Sequence, residues 1–228
     1  MTALVLGAMA PDFEYFFRWQ AVGLFGHNLE GFIYFNLPLC FLIAYIFHFI
    51  MKKPMIECLP HPLNNWYWYF AERKWGLHNT WSLLIFIYSA LLGMVTHVFW
   101  DSFTHSYGWF VEQFPMLSNV IYLNGDALPV YNILQLGSSL VGLMILVVFC
   151  YHLRNQQTKV PRVISSWIKG IFYGTTILAG CIACLPVFFT YGLHGFGTAG
   201  VYSIAFINGL VLGGLLASIA YQYILRYD

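Results

Sequence analysis

Five apolar stretches, each about twenty residues long, constrain this chain more than any other feature. They are Phe32–Met51, Trp81–Trp100, Tyr131–Tyr151, Gly170–Thr190 and Val201–Leu225. A helix needs about 20 such residues to cross the hydrocarbon core of a bilayer. Inside that core the backbone must satisfy its own hydrogen bonds, so the stretches read as helices. Only 8% of the residues are charged and 60% are hydrophobic, whereas a soluble domain carries roughly 25% charged residues. That balance excludes an ordinary soluble fold, a disordered chain and a coiled coil. The expectation is an all-α, polytopic membrane helical bundle of about five transmembrane helices. It forms one integral domain over residues 1–228. The apolar run Ala3–Ala10 is too short to span and has no basic leader or cleavage site. It is grouped with an outer motif segment, residues 1–31.

Basic residues set the expected orientation. Lys52, Lys53, Arg73 and Lys74 follow the first span, Arg154, Lys159, Arg162 and Lys169 follow the third, and Arg226 follows the fifth. Only Arg18 falls on the other side. The N-terminus is therefore expected outside and the C-terminus in the cytoplasm. Asp12, Glu14, Glu30, Asp101, Glu112 and Asp126 gather at the outer side. Acidic residues do little for topology, so that gathering asks for another reason. A net charge of +1 offers no basic field for nucleic acid.

Other patterns read as structure. The cytoplasmic loop 52–79 holds Asn65–Trp75, rich in aromatic rings beside Arg73 and Lys74, which suits an interfacial helix. Gly170/Gly174 and Gly209/Gly213 have the spacing that lets helices approach. Cys181 and Cys184 form a CxxC inside an apolar helix, without basic neighbours to activate a thiolate. The odd total of five cysteines does not form a disulfide framework. His48, His61, His78 and His152 face the inner side and read as interfacial. His194, in a glycine-rich outer loop, is a weaker candidate for the site. No internal repeat suggests a two-halved transporter.

The chemistry-bearing signal is His97-Val-Phe-Trp-Asp101-Ser-Phe-Thr-His105. Steps of four residues drift only about 40° around a helix. If the helix continues through Thr104, His97, Asp101 and His105 share one stripe. Ionisable groups at that depth must be paired, face water or bind a metal. Imidazole and carboxylate one turn apart suit Zn²⁺ or a similar ion. A His97–Asp101 hydrogen bond that only fixes helix packing is the plainer alternative. Asp12 and His27 belong to the same outer layer, and three His with two Asp would suit one metal with an open position, or two. Gln135 is a candidate for binding substrate or bridging helices, and Thr104 for supporting the ligands or binding substrate.

Four segments occur in order: Gly7-Ala-Met-Ala-Pro-Asp12-Phe-Glu-Tyr-Phe16, Gly26-His-Asn-Leu-Glu-Gly31, Gly93 to His105, and Gln135-Leu-Gly-Ser-Ser139. Over about the first 145 residues the chain resembles a bacterial family of multi-span membrane proteins that carries a domain-of-unknown-function label. More distantly it resembles membrane-bound metal-dependent hydrolases, and its HxxxD element is similar to the helix ligands of zinc-dependent phospholipase C. The resemblance implies metal binding by Asp12, His27, His97, Asp101 and His105. An inner-membrane location is expected, and by the charge topology the site faces outward. Family members carry a Ser-His-Pro element before the Pro-Asp motif. Here that element lies upstream of Met1 or is lost.

The distant resemblance implies the expected reaction type, a membrane-embedded metal-dependent hydrolase acting at the outer membrane interface on a lipid-linked phosphoester. Zn is the expected ion, with Mn or Mg as alternatives. His27 is then a ligand or a general acid/base, and Glu30 or Glu14 the base. The alternative is a non-enzymatic transporter or a lipid- or metal-binding module.

Overall fold

The computed structural model describes residues 1–20, 22–123, 126–192 and 198–227. His194 lies outside them. Two short helices open the chain, α1 (Thr2–Met9) and α2 (Phe13–Arg18), joined by a 3₁₀ turn at Ala10–Asp12. Five helices are long and apolar enough to cross a membrane: α3 (Leu29–Cys58), α5 (Thr80–Thr104, continued by the short α6, Trp109–Gln113), α7 (Val130–His152), α8 (Ser166–Tyr191) and α9 (Ala199–Tyr227). Between α3 and α5 lies the aromatic helix α4 (Leu63–Glu72). The hairpin β1 (Val120–Leu123) and β2 (Asp126–Pro129) precedes α7. The protein is an integral membrane protein with an all-α spanning bundle.

Local chemistry explains the irregularities. Helix α3 widens into π turns at Phe32–Asn36 and Phe47–Met51. Each lies just before a proline, Pro38 or Pro54. Proline has no N–H to donate to the preceding turn, and a widened turn accommodates the loss. Helix α5 begins with a capping box: the Asn79 carboxamide accepts from the Ser82 N–H at 2.7 Å, and Ser82 Oγ accepts from the Asn79 N–H at 3.2 Å. It stops at Thr104, where His105 turns to an extended backbone.

The chain folds around two cores. The larger packs Ala3, Ala10 and Phe13 against Phe32, Cys40 and Ala44 of α3 and Phe86, Ala90 and Met94 of α5. Helix α1 lies along α5 inside this core, and Thr2 Oγ1 reaches His48 Nε2 at 3.0 Å. The His48 ring stacks on Trp75 at 4.5 Å. The second core joins Cys58, Ile164, Phe172 and Tyr221, linking α3 to α8 and α9. Helix α7 is held at its ends. Tyr67 and Tyr69 donate to the carbonyls of Cys150 (2.8 Å) and Leu153 (2.6 Å), and Trp100 Nε1 donates to Ser138 Oγ (3.2 Å). None of its residues is buried in the bundle.

Two sequence expectations need adjustment. The aromatic helix runs Leu63–Glu72 rather than from Asn65 to Trp75, because Arg73 leaves helical geometry. Gly170 and Gly174 meet nothing within 4 Å and mark no helix contact. Gly209 and Gly213 do. A Cβ on Gly209 would lie 2.6 Å from Gly180 Cα, and one on Gly213 would lie 2.6 Å from Ala179 Cβ. The pair missed in the sequence is Gly7 with Gly93. A Cβ on Gly93 would lie 2.6 Å from the Ala8 nitrogen, and one on Gly7 would strike the Ala90 carbonyl.

The α1–α5 contact therefore has no room for a methyl group. Gly93→Ala is expected to destabilise the protein by about 1–3 kcal/mol, the usual cost of overpacking. Gly174→Ala should be neutral. Thermal unfolding in detergent measures both.

Candidate metal centre

The bundle has a basic end, where Lys52, Arg73, Arg154 and Lys169 lie, and an acidic end, where α2, the start of α3 and the end of α5 meet. Four polar side chains converge at the acidic end. Asp12 comes from the turn before α2, His27 from the loop before α3, and His97 and Asp101 from one face of α5. His27 Nε2 lies 3.6 Å from Asp12 Oδ1 and 3.4 Å from Asp101 Oδ2. His97 Nε2 lies 3.6 Å from Asp12 Oδ1 and 3.0 Å from Asp101 Oδ2. Asp12, His27 and His97 each offer one ligand atom within 4.8 Å of the others.

The tautomer of His97 follows from its other nitrogen. Nδ1 lies 2.6 Å from the carbonyl oxygen of Ala8. A carbonyl only accepts, so Nδ1 carries the hydrogen and the neutral ring points a lone pair from Nε2 at two carboxylates. Both His97 Nε2 and His27 Nε2 are buried and lack a hydrogen-bond partner among the described residues. At 3.0 Å the His97–Asp101 pair is close enough to hydrogen-bond but misaligned for it. Lone pairs facing carboxylates repel unless a proton or a cation lies between them.

Without a cation, protons take that role. Contact with the Asp101 carboxylate, then with Asp12, raises His27 to about 9 against the cost of burial. Burial alone would raise the Asp12 carboxyl, but its contacts with His27 and His97 outweigh that and lower it. The Tyr15 ring stacks on His27 at 5.6 Å and covers one face.

A folded loop presents His27. Glu14 Oε2 accepts three successive backbone N–H groups, from Leu24 (3.0 Å), Phe25 (2.8 Å) and Gly26 (2.8 Å). Its Oε1 takes the Arg18 guanidinium at 2.7 Å. From α3, the fully buried Asn36 donates to the Gly26 carbonyl at 2.7 Å. Trp19, in the left-handed region at φ 55°, ends α2 and turns the chain so that this loop returns over Glu14.

The sequence-predicted residues thus separate into groups. Asp12, His27, His97 and Asp101 are brought together. His105 stands next to them rather than among them: α5 continues through Thr104, and the His105 Nδ1 faces the other oxygen of Asp101 at 3.6 Å, outside the group that Asp12, His27 and His97 form. Thr104 is 1% exposed, too deep to touch a substrate, and its hydroxyl lies 3.3 Å from His105 Nδ1. Glu14 has no free oxygen for base chemistry; it is a loop anchor. Glu30 is exposed in a cleft beside His27. Gln135 is exposed on α7, and its backbone carbonyl accepts from Ser138 and Ser139. No contact links it to the cluster.

The sequence reading passed over Tyr15, Asn36 and the Ala8 carbonyl. Asn36 carried a signal, as a polar residue within an apolar span. The Glu14–Arg18 pair, at i, i+4, carried another.

The geometry defines an integral-membrane helical bundle with a half-buried His/Asp cluster at one end. The chain belongs to the family described as Domain of unknown function (DUF4184), which matches residues 1–219. That match extends well past the first 145 residues. No curated protein matches the chain, and no solved structure does.

The Glu14 anchor gives a pH-dependent prediction. Burial would raise its carboxyl, but the Gly26, Phe25 and Leu24 N–H groups and Arg18 bring it from 4.5 to about 2. A depressed carboxyl stabilises the fold above its ordinary value, and that stability is lost as pH falls toward 2. At 1.36 kcal/mol per unit, the shift corresponds to roughly 3 kcal/mol. Glu14→Gln is expected to lose stability of that order at pH 7 and to flatten the decline below pH 4.5. Unfolding in detergent at both pH values measures it.

Proposed function

We propose that this protein is a membrane-embedded, metal-dependent hydrolase, with its site facing outward and a lipid-linked phosphoester as substrate. The observation that carries the reading is His97. Its Nδ1 is committed to the Ala8 carbonyl, which leaves a buried Nε2 lone pair aimed at Asp12 and Asp101. Metal-ligating histidines are commonly oriented in this way, with the second nitrogen bonded to a backbone carbonyl.

Asp12, His27 and His97 fit an ion, each with one ligand atom within 4.8 Å of the others, and Asp101 lies 3.4 and 3.0 Å from the two imidazoles. Ligands about 2.1 Å from a tetrahedral centre stand roughly 3.4 Å apart. The four histidine-to-carboxylate separations run from 3.0 to 3.6 Å. Asp12, His27, His97 and Asp101 would hold the ion. The imidazole pair favours zinc, with manganese or magnesium as alternatives. When bound, such an ion supplies Lewis-acid polarisation of a phosphoryl oxygen and activation of water.

The remaining residues orient and shield. His105, against the outer oxygen of Asp101, steadies that carboxylate. Tyr15 keeps solvent from one face of His27. Glu14 and Asn36 fix the loop that carries His27. Of the two carboxylates expected as bases, Glu30 alone is free to meet an incoming group.

Metal content tests the reading. Protein purified without chelators is expected to hold about one divalent ion per chain by elemental mass spectrometry, and to cleave bis(p-nitrophenyl) phosphate. A folded His97→Ala/Asp101→Ala variant should lose both. A parent that takes up none of zinc, manganese or magnesium overturns the metal centre. Stoichiometric zinc without turnover favours the metal-binding module over the enzyme.

A further inference from the structure

The cleft beside His27 has a use that the cluster alone does not define. It has a volume of about 890 Å³. The start of α3 lines one side with Leu29, Glu30 and Phe32, and α5 lines the other with Val95, Val98 and Phe99. His27 belongs to both the cleft and the cluster. Leu29, Val95 and Phe99 are exposed, so the cleft opens along the apolar flank of the bundle. A molecule can therefore reach His27 from the side of the bundle.

Size and charge narrow the occupant. Small-ligand pockets run from about 300 to 1,000 Å³. This cleft has room for a polar head group and the first carbons of its chains, and longer chains would lie against α5. The wall is apolar except for His27, Asn28, Ser102 and Glu30. Glu30 makes no ion pair among the described residues. Arg18, the only lysine or arginine in the segments at this end, is held by Glu14. An exposed carboxylate without a cation of its own chain complements a cationic ligand group and repels an anionic one.

We infer that the cleft binds a phospholipid with an amine-bearing head group, the phosphate toward His27 and the amine at Glu30. The position of the phosphate rests on the metal-dependent reading; the amine at Glu30 does not. Glu30 here recognises the head group rather than taking a proton.

The test uses dihexanoyl phosphatidylethanolamine and dihexanoyl phosphatidylglycerol as probes. Binding to the full chain in detergent is followed by native mass spectrometry, with and without zinc. The parent is expected to prefer the amine lipid by about tenfold, and Glu30→Gln to bring that preference below about twofold. Val95→Trp, which places an indole in the cleft, should weaken both lipids by about tenfold with zinc content unchanged. Val95→Phe replaces it if the tryptophan variant unfolds. Equal binding of the two lipids, a preference that survives Glu30→Gln, or binding indifferent to a folded cleft-filling variant overturns the inference. A parent that binds none of zinc, manganese or magnesium but keeps a Glu30-dependent preference overturns the hydrolase reading and leaves the head-group site standing.

Discussion

The hydrogen bond from His97 Nδ1 to the Ala8 carbonyl organises the acidic end of this protein. It joins the first helix to the second span and aims a buried nitrogen at two carboxylates. It forms because Gly7 and Gly93 let two backbones approach without a side chain between them. The contact that packs the core is thus also the contact that sets the cluster. The two needs meet within seven residues of the first helix.

A second set of interactions holds the remaining donor. His27 sits on a loop, and loops position side chains less firmly than helices do. Here the loop is gripped from below by Glu14, through three N–H groups, and from the side by Asn36. Both gripping side chains are buried. Burying an ionised carboxylate is costly unless its oxygens are satisfied, and those of Glu14 are. The Pro-Asp-Phe-Glu segment therefore acts twice. Asp12 faces the cluster, and Glu14 fixes the loop that brings His27 to it.

Much of this architecture was legible in the sequence, because the bilayer is a demanding solvent. The five apolar runs match the long helices to within a few residues at most ends. The His97–Asp101 stripe was readable because helical spacing fixes relative direction. The same spacing puts His105 beside Asp101, but it does not tell that His105 meets the carboxylate oxygen turned away from His27 and His97. Glu14 read as a free acid because nothing local reveals that residues 24–26 fold back onto it. Gly170/Gly174 and Gly209/Gly213 have the same spacing, and only tertiary placement shows which pair touches a neighbour. For Glu14 and the glycine pairs, what stayed hidden depended on contacts distant in the chain.

In the proposed centre two imidazoles and two carboxylates share one ion. Zinc X-ray absorption on the purified, zinc-loaded protein addresses it most directly. The account predicts a shell of nitrogen and oxygen at about 2.0–2.2 Å, with the outer-shell scattering of two imidazoles. Loss of one imidazole should follow His97→Ala. A shell of sulfur at about 2.3 Å, or of oxygen alone with no imidazole signal, would contradict it.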